Sequence, residues 1–134
     1  MITKVHPDAQ KAQALIKMAM TTLQRLDETN TEKYPSNTFV DYYDAIHKLI
    51  EATTLSGGVK VKGEGAHQEL IDYFASKYGV GEQTRQSLQQ MRDYRNRIAY
   101  EGFTVSKNYV ILNKTKITGI IQKLSDALTR RTEN

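Results

Sequence analysis

Apolar residues recur three and four positions apart along most of the chain, and polar residues fill the positions between them. This spacing places the apolar side chains along one face of an α-helix. It predicts five amphipathic helices, which run from about 8 to 26, 36 to 53, 70 to 78, 81 to 101 and 114 to 130.

Residues that favour helix ends lie at several of these boundaries. Asp8 follows a proline and can begin the first helix, and the hydroxyl of Ser36 can cap the second. Gly79 and Gly102 are well placed to end the third and fourth helices. The element boundaries are therefore supported by local chemistry as well as by periodicity.

Two segments lack the helical pattern. Residues 55–65 contain four glycines, whose permissive backbone disfavours helix and regular strand, so we predict a loop there. Residues 103–112 leave two interpretations open. Tyr109 to Leu112 is typical of a strand, whereas Ser106 could cap a short helical turn.

Amphipathic helices with mostly short connections predict an all-α fold, an antiparallel up-and-down helical bundle of four to five helices. One hydrophobic core is the rule for a chain of 134 residues, so residues 1–134 are expected to form a single domain. The 39% hydrophobic and 25% charged residues exclude disordered, collagen-like and membrane-spanning classes.

The sequence also indicates where the protein is located. No apolar run approaches the roughly 20 residues that cross a bilayer, and Lys4, Asp8 and Lys11 interrupt the N-terminal region where a signal peptide would be apolar. We expect a cytoplasmic protein with no membrane partner.

The absence of cysteine excludes disulfides, thiolate nucleophiles and cysteine-ligated metals. A net charge of +4 permits RNA or nucleotide partners.

Common catalytic and cofactor motifs are missing. The glycine-rich segment from Gly58 to Glu64 has glutamate where a phosphate-binding loop has lysine, so a mobile loop is favoured. His6, His47 and His67 are scattered without metal-ligand spacing and are expected to be structural or surface residues. Neither a cofactor nor a metal centre is expected, and no GxSxG element supports serine hydrolase chemistry.

The C-terminal half of the fourth helix concentrates charged and hydrogen-bonding groups. At about 100° per residue, Arg95 falls on the apolar stripe, where a guanidinium must be paired or reach into a cleft. Asn96 and Tyr100 lie four apart on another face, and Asp93 can pair with Arg97. An ion-pair network without a ligand is an equally good explanation of this cluster.

The element Arg95-Asn96-x-x-x-Tyr100 resembles the RN-x-x-x-H signature of the HEPN superfamily, and the resemblance covers nearly the whole chain. The segment from Gly65 to Phe74 is also similar to the third-helix entry of many members. The resemblance implies a helical bundle, and for many members a metal-independent ribonuclease that acts as a homodimer. It would make Arg95 the group that stabilises phosphate charge and Asn96 a positioning group.

Tyr100 stands where the ribonucleases have histidine, and a phenol with a pKa near about 10 is a poor general base at pH 7. His67 could supply an imidazole only if the third-helix entry reached the cleft, which we do not expect. Other members partner nucleotidyltransferases in toxin–antitoxin pairs and carry a modifiable tyrosine, but at the position of Gly102. Still others have lost the nuclease motif and act as binding or assembly modules.

The favoured function is a HEPN-like homodimer that binds a nucleotide, RNA or a nucleotidyltransferase partner without robust nuclease activity. Arg95, Asn96 and Tyr100 are the candidate catalytic residues. The candidate ligand-binding residues are Arg92, Arg95, Asn96, Arg97 and Tyr100. The alternatives are a metal-independent ribonuclease of a toxin–antitoxin or defence system and a purely structural or assembly dimer.

Helical geometry gives a second argument for a dimer. Residues five apart point about 140° away from each other, so Arg95 and Tyr100 of one regular helix are not expected to converge. A second copy crossing at a two-fold axis would bring the required groups together. The alternative is a monomer whose fourth helix unwinds at Ala99.

Overall fold

Five helices and a two-stranded sheet make up the fold. The computed structural model describes the backbone of residues 1–133 and the side chains of residues 1–128. The elements in chain order are β1 (Ile2–Lys4), α1 (Ala9–Asp27), α2 (Pro35–Ser56), β2 (Val59–Val61), α3 (Ala66–Tyr78), α4 (Glu82–Glu101) and α5 (Lys107–Glu133). The predicted all-α helical bundle is confirmed, with the small sheet as an addition.

Helix α2 is the centre of the bundle and contacts each of the other helices. Twelve of its 22 residues are buried, including Tyr43, Ile46 and Ile50. Its buried threonines satisfy their hydroxyls locally, as when Thr53 donates to the Leu49 carbonyl at 2.8 Å. An apolar surface on nearly all sides of α2 therefore organises the core.

Several helix ends match the predictions. The Asp8 carboxylate accepts a hydrogen bond from the Lys11 N–H at 3.0 Å and caps α1. Gly79 and Gly102 follow α3 and α4 with φ of 61° and 70°, a left-handed conformation that glycine adopts without strain.

The predicted Ser36 cap is wrong. Helix α2 already begins at Pro35, whose fixed φ and missing N–H suit a first helical position. The Ser36 hydroxyl instead accepts a hydrogen bond from the Val105 N–H at 3.0 Å. It thereby ties the α4–α5 connection to the start of α2.

The prediction that residues 55–65 form a loop is wrong at both its start and its centre. Leu55 belongs to α2, and Val59–Val61 pairs antiparallel with Ile2–Lys4, with Thr3 opposite Lys60. The pairing residues lie more than fifty positions apart, so no local pattern could have revealed the strand.

The segment that the sequence left open, residues 103–112, is helical from Lys107 onward. Helix α5 begins at Lys107 rather than Lys114, and the Ser106 hydroxyl accepts a hydrogen bond from the Tyr109 N–H at 3.1 Å. Tyr109 packs on Phe39 of α2, and Val110 is buried. Of the two interpretations, the Ser106-capped helix is therefore correct.

Gly58 controls the approach of β1 to β2. Its φ is +78°, and a Cβ there would lie 2.9 Å from the Val5 carbonyl oxygen. Gly63 has a φ of +94° but open space around it.

Gly58→Ala is expected to lower the free energy of unfolding by about 2 kcal/mol or more, and Gly63→Ala by about 1 kcal/mol, in urea denaturation. If both substitutions lowered the free energy of unfolding equally, the contact with the Val5 carbonyl oxygen would contribute nothing, and backbone strain alone would act at Gly58.

No helix in the described part of the chain is long and apolar enough to cross a membrane.

Candidate functional site

Arg95 lies on α4 and pairs with an aspartate of α2. Its Nε is 3.2 Å from Oδ1 of Asp44, and its side chain is only 21% exposed. Burial alone would lower the pKa of Arg95, but its interactions with Tyr100 and Asp44 outweigh burial and raise the pKa. The charge on the apolar stripe of α4 is therefore paired, as its position required.

Tyr100 lies against the same guanidinium although α4 stays helical through Glu101. The centre of its ring is 5.9 Å from Cζ of Arg95, and Oδ1 of Asn96 is 3.5 Å from Nη1 of Arg95. Side chains on a helix lean toward its N-terminus, so the Tyr100 ring reaches back over the preceding turn toward the flexible arginine.

This contact overturns the geometric argument for a second copy. Arg95 and Tyr100 meet within one chain, and α4 does not unwind at Ala99. The expectation that a regular helix keeps them apart considered the directions of the Cα–Cβ bonds and neglected the length of both side chains. A homodimer remains a prediction that rests on the family resemblance.

The other two arginines of the predicted binding set take different positions. Arg92 donates to Gln89 at 2.8 Å, and with Arg95 it opposes the burial that raises the pKa of Tyr43. Arg97 points to another side of the helix, with its Cζ 4.4 Å from the centre of the Phe103 ring. The structure thus groups Arg92 with Arg95 around Tyr43 and directs Arg97 toward Phe103.

Two histidines that are far apart in the sequence lie together beside this cluster. The rings of His47 in α2 and His67 at the start of α3 stack at 4.0 Å with an interplanar angle of 21°. Nδ1 of His47 is 3.0 Å from a carboxylate oxygen of Glu51, one turn further along α2. His47 and His67, which stand twenty positions apart in the sequence, are therefore neighbours in the fold.

His67 also lies within the electrostatic influence of Arg95. Partial burial lowers the pKa of His67, as do His47 and Arg95, while Glu51 and Asp44 oppose the shift. Arg95 and the third-helix entry therefore interact electrostatically. The sequence held a local signal for only one of these contacts. His47 and Glu51 are four residues apart, a spacing that places two side chains on the same face of a helix.

Two buried polar atoms near these groups have no hydrogen-bond partner among the described residues, Nε2 of His47 and the hydroxyl of Tyr43. Both side chains belong to α2, one turn apart, and their rings are 6.0 Å from each other. Buried polar atoms are nearly always paired in folded proteins, so unpaired ones point to water or a ligand. This part of α2 has hydrogen-bonding capacity that the described side chains do not use.

A cavity of about 320 Å³ adjoins the histidine pair, between α2, β2 and the start of α3. His47, His67 and Glu51 form its polar side, and Leu55 and Leu70 contribute apolar wall. Three lysines also line it, Lys11 from α1, Lys60 from β2 and Lys62 just after β2.

These lysines are close enough to perturb one another. Lys11 and then Lys62 lower the pKa of Lys60, because neighbouring ammonium groups disfavour a further positive charge, while Glu51 opposes the shift. No carboxylate in the described part of the chain lies within ion-pair distance of any of the three. The lining consequently holds three ammonium groups against one carboxylate, Glu51, and is positive overall.

Within residues 1–128, no three histidine, aspartate or glutamate side chains are grouped as metal ligands. What the site offers is guanidinium and ammonium groups, imidazoles and a phenol, which can bind anions and move protons.

No protein-family model matches the chain, and no curated protein is significantly similar to it.

Proposed function

We propose that the chain is a HEPN-like helical module that forms a homodimer and binds RNA or a nucleotide through the polar face of α4. The proposal rests on the resemblance of Arg95-Asn96-x-x-x-Tyr100 and on the surroundings of these three residues. A nucleotidyltransferase partner would meet the same face of the helix.

The geometry of Arg95 carries this proposal. Asp44 accepts from Nε, and Asn96, at 3.5 Å from Nη1, and Tyr100 also interact with the guanidinium. A guanidinium has five N–H donors, so Arg95 keeps donors for a phosphate oxygen. Tyr100 is 77% exposed, so the ring beside this guanidinium is open to solvent. A positioned guanidinium next to an accessible aromatic ring suits a phosphate and a base.

Exposed apolar groups support the homodimer. Ile111 and Leu112 are large apolar side chains of α5 that are 49% and 81% exposed. An interface between two copies would remove such groups from water.

The test is RNA binding by fluorescence anisotropy with wild type and Arg95→Ala. The substitution is expected to weaken binding at least tenfold, since it removes the group that contacts phosphate. Arg25→Ala is the matched control, because Arg25 also pairs with an α2 aspartate, Asp41 at 2.7 Å, but extends from α1. Equal weakening in both variants would contradict the proposal, because it would show only the effect of net charge.

Light scattering over a range of protein concentrations measures the molecular mass and so tests whether the protein is a homodimer. Wild type is expected at twice the chain mass, and Asn96→Glu at the mass of one chain, because it would place two carboxylates near the two-fold axis. A single-chain mass at every concentration would remove the dimer from the proposal.

A metal-independent ribonuclease is the second candidate, and His67 is the observation that favours it. Its imidazole lies near enough to Arg95 for the guanidinium to lower its pKa. Incubation of the protein with RNA and a chelator distinguishes the two candidates, since binding without cleavage favours the module.

A further inference from the structure

We propose that the cavity between α2, β2 and α3 binds a phosphomonoester, the terminal phosphate of a nucleotide or of an RNA end. The cavity is formed within one chain, and its lining comes from α1, α2, β2, α3 and the connection between β2 and α3. The proposal is therefore independent of the homodimer and of RNA binding by Arg95.

The first support is an excess of positive charge, since three lysines and one carboxylate line the cavity. Lys11, Lys60 and Lys62 come from three separate places in the fold and meet at one cavity. Glu51, the acidic residue of the lining, is already held by His47 at 3.0 Å. Crowded ammonium groups repel one another, and a bound anion relieves that repulsion.

The second support is the strand that carries two of the lysines. In β2 and the residue that follows, Lys60 and Lys62 stand two apart, the spacing that places strand side chains on one face. The antiparallel pairing of Lys60 with Thr3 fixes the position of β2. The cationic side of the cavity is thus built on ordered backbone rather than on a free loop.

The third support is the match between the remaining lining and the rest of such a ligand. A volume of about 320 Å³ is within the range of small-molecule sites, about 300 to 1,000 Å³. Leu55 and Leu70 offer apolar wall to a nucleoside, and His67 adds an imidazole that donates when protonated.

The charge of the ligand follows from the number of cations. A phosphomonoester carries about −1.5 to −2 at neutral pH and has three terminal oxygens, so it can engage three ammonium groups and an imidazole together. A carboxylate has a single charge and would not balance the two positive charges by which Lys11, Lys60 and Lys62 exceed Glu51. We therefore infer a phosphate-bearing ligand rather than a carboxylic acid.

Isothermal titration with adenosine monophosphate and with adenosine tests the phosphate requirement. The monophosphate is expected to bind at least tenfold more tightly than the nucleoside. A second pair of ligands, a short oligoribonucleotide with a 5′-phosphate and the same oligoribonucleotide with a 5′-hydroxyl, distinguishes an RNA end from a free nucleotide. Tighter binding of either phosphorylated member supports the site, and equal affinities within both pairs would overturn it.

Lys11→Ala/Lys60→Ala locates the binding. This variant is expected to lose at least tenfold in affinity for whichever phosphorylated ligand binds, while its melting temperature stays the same or rises, because a repulsive contact is removed. The matched control is Lys17→Ala/Lys114→Ala, which removes two exposed lysines from α1 and α5. Similar losses in both double variants would overturn the assignment to this cavity.

Dependence on pH gives a further readout. His67 faces His47, Glu51 and Asp44 from α2 and Arg95 from α4, and in the free protein its pKa is lowered. Bound phosphate would favour the imidazolium, so affinity is expected to rise between pH 8 and 6.5, and to rise less in His67→Gln. Identical pH profiles would remove His67 from the site.

Failure of this proposal and of the proposed function can be told apart. Arg95→Ala is expected to weaken RNA binding and to retain phosphate-dependent binding of the monophosphate in the cavity. Lys11→Ala/Lys60→Ala is expected to lose phosphate-dependent binding of the monophosphate and to retain binding of the oligoribonucleotide with a 5′-hydroxyl. Loss of both activities in both variants would mean one shared site and would contradict the separation drawn here.

Discussion

Tyr100→His is expected to raise metal-independent RNA cleavage by about a hundredfold or more over wild type, the contribution that a positioned general acid–base group typically makes. Tyr100 is 77% exposed, so the change should not disturb the fold. Its ring already lies 5.9 Å from Cζ of Arg95, and an imidazole at this position would titrate near neutrality beside a phosphate-binding guanidinium.

Gel analysis of an RNA substrate in the presence of chelator measures this outcome. Tyr100→Phe is the control that removes the phenol without adding an imidazole, and it should cut no RNA. Tyr100→His/Arg95→Ala should lose the gained activity, because the charge that develops on the phosphate would lack its stabilising group. A folded Tyr100→His protein that binds RNA and leaves it intact would show that Arg95 and an imidazole are insufficient here.

The helices could be predicted from the sequence because their causes are local. The spacing of apolar residues and the end signals at Asp8, Gly79 and Gly102 act within a turn or two of the residues they affect. The β1–β2 pair depends on contacts between Thr3 and Lys60, so its cause lies outside any local window.

The candidate site shows the same division between local and tertiary causes. The position of Arg95 on an apolar stripe indicated that the guanidinium needed a partner, and only the packing of α4 on α2 identified that partner as Asp44. The stack of His47 on His67 depends on where α3 begins relative to α2, and periodicity does not contain that information.

The basic cavity was missed for a related reason. The segment around Gly58 has Glu64 where the phosphate-binding loop has lysine, so that motif does not reveal the site. The cationic cluster forms instead by adding Lys11 of α1 to Lys60 and Lys62, residues that meet through the sheet and the bundle together. A recognised strand would have placed Lys60 and Lys62 on one face, but it could not have added Lys11.

An aromatic cluster fixes the C-terminal half of α4, on which the candidate site depends. The ring of Phe39 in α2 lies 6.2 Å from that of Tyr94 and 5.7 Å from that of Tyr109 in α5, measured between ring centres. Tyr94 also packs edge-on against Phe103 at 5.6 Å. Tyr94 precedes Arg95, so these contacts hold the helix segment that presents the guanidinium.

Phe39→Ala is therefore expected to lower the free energy of unfolding by about 3 to 5 kcal/mol, as measured by urea denaturation. Phe39 is only 1% exposed, and its removal forfeits both apolar burial and contacts with two aromatic rings. A loss of this size is a large part of the roughly 5 to 15 kcal/mol that stabilises a typical domain.

Phe39→Leu is the matched control, because leucine keeps most of the buried volume while removing the aromatic ring. It is expected to cost about 1 to 1.5 kcal/mol and to leave RNA binding close to wild type, since Arg95 keeps its support from Asp44. If Phe39→Ala cost less than about 1 kcal/mol, the junction of α2, α4 and α5 would have to collapse around the missing ring. Such a collapse would displace Tyr94 and with it Arg95. A Phe39→Ala protein that stays stable but binds RNA more weakly would therefore show that α4 is the helix that moves.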